Sequence, residues 1–551
     1  MARAVSRGYD VVVVGAGGSG APLAARLSED PDRRVLLLEA GPAPLRQADY
    51  PRELLDATTV QGAMPGHPNN WSYLGHLTPD LPYTIARGRI LGGSTALNGA
   101  YFVRPARADF TAWAAVAGPE WSFEAVLPTM RRMEADADAT LGIVDADVHG
   151  LSGPMVVSRP PQTGRLPSAF TAAARGAGFP DEADKNAPGI PGVGAVPLNV
   201  RHGVRWNTGL AYVLPALARP NLTVRGGARV IRLVIRDGRA TGVELVGGER
   251  VAADEVILSA GAIATPQLLM LSGIGPARHL TELGIPIVID LPVGAAFSDH
   301  PDIGVGWRSR GPVVDPREKF AFPTALNLSS DGGPVQGDLE ILLSVKSLGY
   351  LLTGSTRFLT TSAAAVLRHP VAVARAMRGA SARRAASQLA HRDDLQLIVA
   401  LQQPEARGRI SLTSADPLRQ PRIDYHHLST SSDLARMRTG VRTAATLLRA
   451  PSFAGLFGNL TELTDDTLAR DSDLNAWMLT HLGTAIHLCG SAPMGRAGDG
   501  TSVTDAHGRV HGVPGLRVAD TSILPWVPSR GPAAAAVLIG ERVAEFMRGR
   551  E

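Results

Sequence analysis

Residues 9–41 read YDVVVVGAGGSGAPLAARLSEDPDRRVLLLEAG, and the reading of this stretch decides the fold. Residues 10–14 form an apolar, β-branched run too short for a helix, which predicts a buried strand. The run enters Gly15-Ala16-Gly17-Gly18-Ser19-Gly20, and residues 21–27 then have helical composition. Strand, glycine turn and helix are the context that gives a G-x-G-x-x-G motif its meaning as a dinucleotide site. Gly15 permits the tight turn, Gly17 admits a pyrophosphate to the backbone, and Gly20 lets helix pack on strand. Gly18 and Ser19 complete the loop, and the helix N-terminus offers free N–H groups and a positive dipole end to phosphate. A second strand over residues 35–38 delivers Glu39-Ala40, where the Glu39 carboxylate would accept from ribose hydroxyls and disfavour a phosphorylated ribose. The motif alone does not separate FAD from NAD.

At 551 residues the chain can bury a large core and should hold more than one domain. Its apolar share of 44% and charged share of 19% are those of a globular protein. A net charge of +4 gives no global case for nucleic-acid binding. The single cysteine, Cys489, excludes an internal disulfide framework and cysteine-ligated clusters, and reads as a small core residue. There is no secretory h-region and no apolar run of about 18 residues, so the expectation is a cytoplasmic protein that does not span a membrane.

Residues 87–102, RGRILGGSTALNGAYF, hold a second glycine turn, Gly92-Gly93, followed by the hydroxyls of Ser94 and Thr95 and the amide of Asn98. It reads either as another close-approach segment or as a structural turn. Residues 109–121 have helical and aromatic-anchor character, and the Pro-rich stretches 154–167 and 187–197 read as domain crossings. Residues 222–246 alternate as strands about Asp237-Gly238, which predicts a hairpin. The strand at 256–258 enters Gly261 and a further helical run, repeating the opening logic. Residues 516–520 read as a last core strand ending in Asp520, either a cap for the next segment or a cofactor contact. Residues 341–392 carry Lys346, Arg357, Arg368, Arg375, Arg378, Arg383, Arg384 and Arg392 without one acidic residue. Such a segment reads as a solvated helix face, or as a surface that docks on anionic lipid or an acidic partner.

Several separated motifs together resemble the glucose–methanol–choline (GMC) family of FAD oxidoreductases. They are Gly88 to Asn98, Gly261 to Gly275, Asp290-Leu291-Pro292-Val293-Gly294 with Asp299-His300, and Gly408-Arg409-Ile410 with Ser414 to Pro417. The resemblance implies an α/β protein: a Rossmann-like FAD-binding domain from residues 1–155, 196–303 and 480–551. An α+β substrate-binding domain with an antiparallel sheet would come from residues 156–195 and 304–479. It places Gly15 to Gly20 at the FAD pyrophosphate, Glu39 and Ala40 at the adenosine ribose, and Val230 at adenine. Gly92, Gly93, Ser94, Asn98, Gly99, Ala100, Gly261, Asp520 and Ala533 would line the flavin side. Some relatives attach FAD through a histidine just before the asparagine; Leu97 stands there, so non-covalent FAD is expected.

The segment His487-Leu488-Cys489-Gly490-Ser491-Ala492-Pro493-Met494 resembles the family's H-x-x-G-T-x-x-M, which implies that His487 is catalytic. Hydride leaves an alcohol carbon more easily when the hydroxyl proton is removed, and imidazole titrates near neutrality. The family's second catalytic position, usually His or Asn, falls on Gly531. The substrate, Arg530, His481 or a water would then supply that interaction. The implied activity is oxidation of the CH–OH group of an alcohol-type donor. The segments at 487–495 and 527–533 also resemble the branch tied to mycofactocin. That would imply reduced mycofactocin (mycofactocinol) as donor, a non-oxygen acceptor such as the respiratory chain, and peripheral membrane contact through 341–392. Gly531 leaves open a GMC-like lyase or photoenzyme, and the basic segment a membrane-docked electron-transfer or binding protein.

Overall fold

The computed structural model describes residues 8–311, 318–354 and 390–549. The apolar run at the N-terminus is the centre of a seven-stranded sheet. Tyr9–Val14 lies between Val35–Leu38 and Arg250–Leu258 and runs parallel to both. Val12 faces Leu36 on one side and Val256 on the other. Leu516–Val518 adds in parallel to Arg250–Leu258. Strands of a parallel sheet covered on both faces need apolar residues at every position, which is why these read as continuous hydrophobic runs.

The predicted hairpin is shorter than residues 222–246. Val230–Arg236 and Arg239–Leu245 pair antiparallel across Asp237 and Gly238, both with positive φ, as a two-residue turn with this twist requires. Leu222–Arg225 instead pairs parallel with Val35–Leu38. Its alternation resembled a hairpin arm, but the edge of the parallel sheet offered an unpaired strand to which it adds.

Helix Gly20–Leu27 crosses from Tyr9–Val14 and packs under the last helix, Ala533–Arg548. Glycine makes both approaches possible. A Cβ on Gly20 would stand 1.9 Å from the Gly15 carbonyl oxygen, and one on Gly540 would stand 2.2 Å from that of Ser19. The buried Glu541 ties the layer together: it accepts from Arg26 Nε at 2.9 Å and from the Tyr212 hydroxyl at 2.7 Å. An ionised carboxylate out of water requires such partners.

A second seven-stranded sheet is antiparallel. Its long strands are Pro301–Ser309, Leu395–Leu401, Leu339–Leu343 and Thr324–Leu328, with Val193–Ala195 at one edge and Phe457–Leu460 at the other. Leu482–Thr484 pairs with the first residues of Pro301–Ser309, so the chain crosses between the two sheets near residues 300 and 485. Helix Ser431–Leu448 covers this sheet, with Gly440 against Val399. The Pro-rich stretches contribute elements of their own: helix Arg165–Gly176 begins inside the first, and Val193–Ala195 lies in the second. Lys346 is buried at 8% exposure beside the Tyr350 ring, not on a solvated face, because it follows a core strand directly. Arg357, Arg368, Arg375, Arg378, Arg383 and Arg384 lie outside the described residues. No helix among the described residues is long and apolar enough to cross a membrane.

Gly20→Ala should lower the melting temperature, because neither the Gly15 carbonyl nor the sheet can retreat. Overpacking of this kind costs about 1–3 kcal/mol, and thermal unfolding of the purified variant measures it.

Candidate active site

A cavity of about 500 Å³ runs from the first crossover to the beginning of the second sheet. Gly15, Gly17, Gly18, Ser19, Glu39, Ala40 and Val230 line one part. Gly93, Ser94, Asn98, Gly99, Gly261, Asp520, Ala533 and His487 line the rest. Gly20, Gly92 and Ala100 are not on the wall. Gly20 instead seats the first helix. Gly92 turns the chain at φ +94°, its N–H bonded to the Ala16 carbonyl at 2.8 Å, and Ala100 turns it again at φ +58°.

The floor is main chain on two sides. A Cβ on Gly93 would lie 2.7 Å from Gly17 Cα, and one on Gly18 would meet Ala536 and Thr95 at 3.2 and 3.3 Å. Such a cradle suits a pyrophosphate and a flat ring held by N–H groups. Glu39 is buried, and its carboxylate already accepts from the N–H groups of Gly41 at 2.8 Å and Ala16 at 3.1 Å. Burial raises its pKa, and those amides oppose the rise. Asp520 is the expected cap. It caps the following turn through the Ser522 N–H at 2.9 Å, and accepts from the Gly261 N–H at 2.9 Å and the Thr265 hydroxyl at 2.6 Å. Asp520 also lines the cavity, where a cofactor contact was expected. Shape and donors fit FAD.

At the far end three segments converge on His487. Ser298 and Cys489 exchange backbone hydrogen bonds at 2.9 and 3.0 Å, and the Ser298 hydroxyl accepts from the Val527 N–H at 2.7 Å. One oxygen of Asp299 accepts from the N–H groups of both His300, at 2.7 Å, and His487, at 2.6 Å. The imidazoles of those residues meet Nδ1 to Nδ1 at 2.9 Å, with ring planes 89° apart. Ile486, just before His487, has φ +62°, which a β-branched residue adopts only when its surroundings impose it. Arg87 imposes it by donating to the Ile486 carbonyl at 2.7 Å, and Arg87 itself lines the cavity.

Gly531 lies beside His487, as the resemblance implied. A Cβ there would come within 3.3 Å of His487 Cε1 and 3.2 Å of the Tyr101 ring. The two side chains considered as its replacement are elsewhere. Arg530 is buried and turned away, donating to the Ser529 carbonyl at 3.0 Å with Glu182 at 3.4 Å. His481 ends helix Asp471–His481, bonded to the Trp477 carbonyl at 2.8 Å and stacked on the Trp477 ring. Each reaches a partner nearer in the chain or deeper in the core. Cys489 is fully buried, and burial pushes its thiol far above the usual range, as befits a core residue. Glu134, Asp136 and His149 cluster in the core, but Arg104, Arg159 and Asp184 complete that cluster as an ion-pair knot.

The GMC oxidoreductase family matches in two parts, an N-terminal domain over residues 9–302 and a C-terminal domain over residues 404–540. The chain belongs to the GMC oxidoreductases. It is therefore an FAD-dependent oxidoreductase acting on CH–OH donors. It is 38% identical to an uncharacterized GMC-type oxidoreductase of the thcA 5′ region of Rhodococcus erythropolis, over 98% of this chain and 99% of that one. It is 33% identical to an oxygen-dependent choline dehydrogenase of Rhizobium etli, over 98% and 96%. Pyridoxine 4-oxidase from Mesorbium loti superposes with a TM-score of 0.83 at 27% identity, over 98% of this GMC chain and all of that one.

Reading the sequence missed Asp299 as the clamp, His300 as the partner of His487, and Arg87 and Tyr101 on the wall. The Asp299-His300 pair was visible only as part of a family segment.

Burial, the neighbouring His300 and Arg87 together hold the His487 imidazole well below its usual 6.5. A general base acts unprotonated, so with His487 in that role activity would be present above the lowered pKa and lost only as pH falls through it. The acid limb of kcat/KM for flavin reduction should therefore lie well below pH 6.5, with a plateau through neutrality. Anaerobic stopped-flow reduction across pH measures it.

Proposed function

We propose that His487 is the general base for alcohol oxidation in this GMC oxidoreductase, taking the hydroxyl proton at Nε2. The observation that carries the reading is a half-buried imidazole, held neutral, on the wall of the glycine-floored cavity. Bound FAD supplies the acceptor for the carbinol hydride. The chain's own residues do the rest. Asp299 fixes the backbone at His487, Arg87 fixes the carbonyl before it, and the narrow wall of Tyr101 and Gly531 leaves the substrate oxygen one basic partner.

The donor proposed is an alcohol-type molecule, with mycofactocinol as the specific candidate; the likeness of residues 487–495 and 527–533 to the mycofactocin branch supports it. The electrons pass to a non-oxygen acceptor such as the respiratory chain, and FAD is held without a covalent link, consistent with Leu97 at the attachment position. Choline, pyridoxine and aryl alcohols, the substrates in the names of relatives and structural neighbours, form the comparison panel.

Anaerobic mixing with mycofactocinol and that panel should bleach the flavin fastest with mycofactocinol. Failure of every donor to bleach it would end the alcohol-oxidation reading, and faster bleaching by a panel alcohol would end the mycofactocinol one. Denaturation should release all the yellow cofactor. His487→Ala should keep bound FAD and slow anaerobic reduction by at least about 10²-fold, the usual contribution of a general base.

A further inference from the structure

We infer that His300 is a positioning residue that fixes the tautomer of His487, leaving the Nε2 lone pair of His487 as the base. The inference rests on His487 being the base and adds how its reactive nitrogen is selected.

The argument begins at the far end of the pair. His300 Nε2 lies 2.8 Å from the carbonyl oxygen of Pro528. A carbonyl only accepts, so Nε2 carries the hydrogen. His300 is fully buried, and burial lowers its pKa to about 4, so near neutrality the ring holds a single N–H. Its Nδ1 is then bare. That bare nitrogen stands 2.9 Å from Nδ1 of His487. Two lone pairs would repel at this distance, so Nδ1 of His487 is the donor. In a neutral imidazole the other nitrogen, Nε2, is then the acceptor. The perpendicular rings suit the bond, because the donor of one ring points along the in-plane lone pair of the other.

Nothing in this arrangement is free to turn. The Asp299 oxygen that accepts from both backbone N–H groups sets the separation of the two residues. Pro528 is held from either side. The N–H of Val527 bonds to Ser298, and Ser529 donates its N–H at 3.0 Å and its hydroxyl at 2.7 Å to Asp109. The other tautomer of His487 would set two bare nitrogens against each other at Nδ1, and a flipped ring would put a carbon there in place of the donor.

The pair also answers what Gly531 removes. Family members with a second side chain there can meet the substrate oxygen from two sides; here the second imidazole stands behind the first. Once the substrate proton is on Nε2, the His487 ring carries two N–H groups and a positive charge. Its Nδ1–H then bonds to His300 as a charge-assisted donor, the stronger kind. The line ends at a carbonyl that cannot take a proton, so the proton returns to solvent or product through Nε2. His300 is not a relay.

The test reads the tautomer directly. Ring ¹⁵N spectra of the intact protein, with and without FAD, are assigned by the signals lost in His487→Gln and His300→Asn. The wild type at pH 7 should show His487 protonated at Nδ1 and bare at Nε2. Asparagine can place an oxygen acceptor near the Nδ1 position of histidine, so His300→Asn should keep that tautomer and reduce flavin within about threefold of wild type. His300→Leu should mix the tautomers and slow reduction at least about tenfold with KM little changed. A wild-type His487 protonated at Nε2 overturns the inference, even if His300→Leu does not fold. So does a His300→Leu protein whose tautomer and rate are unchanged. Correct tautomers in an enzyme that no alcohol reduces would instead refute the alcohol-oxidation reading and leave the positioning role standing.

Discussion

The approach of the Gly17 and Gly93 backbones is the constraint on which the site depends. A Cβ on Gly93 would lie 2.7 Å from Gly17 Cα, so the two turns can meet only as bare main chain. Meeting this way, they make a floor of peptide groups, and N–H groups are the donors a pyrophosphate needs. The approach depends on strand register. Gly17 is carried by the strand ending at Val14, Gly261 by the strand ending at Leu258, and those residues are direct partners. Asp520 follows the strand ending at Val518, which is itself in register with Leu258. Three crossovers of one parallel sheet thus end at one level, and ligands of such sheets sit beyond the carboxyl ends of the strands.

The His487 end of the cavity obeys a different rule. Here the chain leaves the parallel sheet for the antiparallel one at residue 301 and returns after residue 484, the two passages paired from Pro301↔Thr484. His300 and His487 flank this pairing, one just before it and one just after it in the chain. Their meeting is a result of antiparallel register, enforced by the Ser298–Cys489 bridge and the shared Asp299 oxygen. The positive φ at Ile486 costs about 1–2 kcal/mol for a residue of its kind, and the Arg87 and Asp299 bonds on either side of it offset that cost. A strained residue held by buried hydrogen bonds fixes the neighbouring ring better than a relaxed one on a loop could.

These two rules explain what was legible in the sequence. The glycine turns, Glu39 and Gly261 were legible because each lies within a few residues of the strand that places it, and local pattern carries local structure. Leu222–Arg225 was not, since alternation does not say which neighbour a strand will take. Lys346 misled because a charge count cannot see that a residue follows a core strand. Arg530 and His481 were plausible substitutes for a missing side chain until their nearer partners, Glu182 and Trp477, were visible. The His300–His487 bond spans 187 residues, and nothing local at either end announces it.

Gly531 then reads as a consequence of packing as much as of chemistry. Tyr101 is pinned by its hydroxyl, which donates to the buried Glu340 at 2.6 Å, and Glu340 is held in turn by Asn327 at 3.2 Å. With Tyr101 on one side and His487 on the other, a Cβ at 531 would press on both rings at 3.2 and 3.3 Å, and each would have to give by a few tenths of an ångström. Moving Tyr101 away would cost the buried Glu340 the shorter of its two hydrogen bonds, and a buried polar group that loses a partner costs about 1–3 kcal/mol. Displacing His487 would break its bond to His300. Glycine is the residue that fits between the two rings without moving either. A substrate entering this end would meet one imidazole, an aromatic wall and a space without a side chain, which is the geometry that the proposed role of His487 uses.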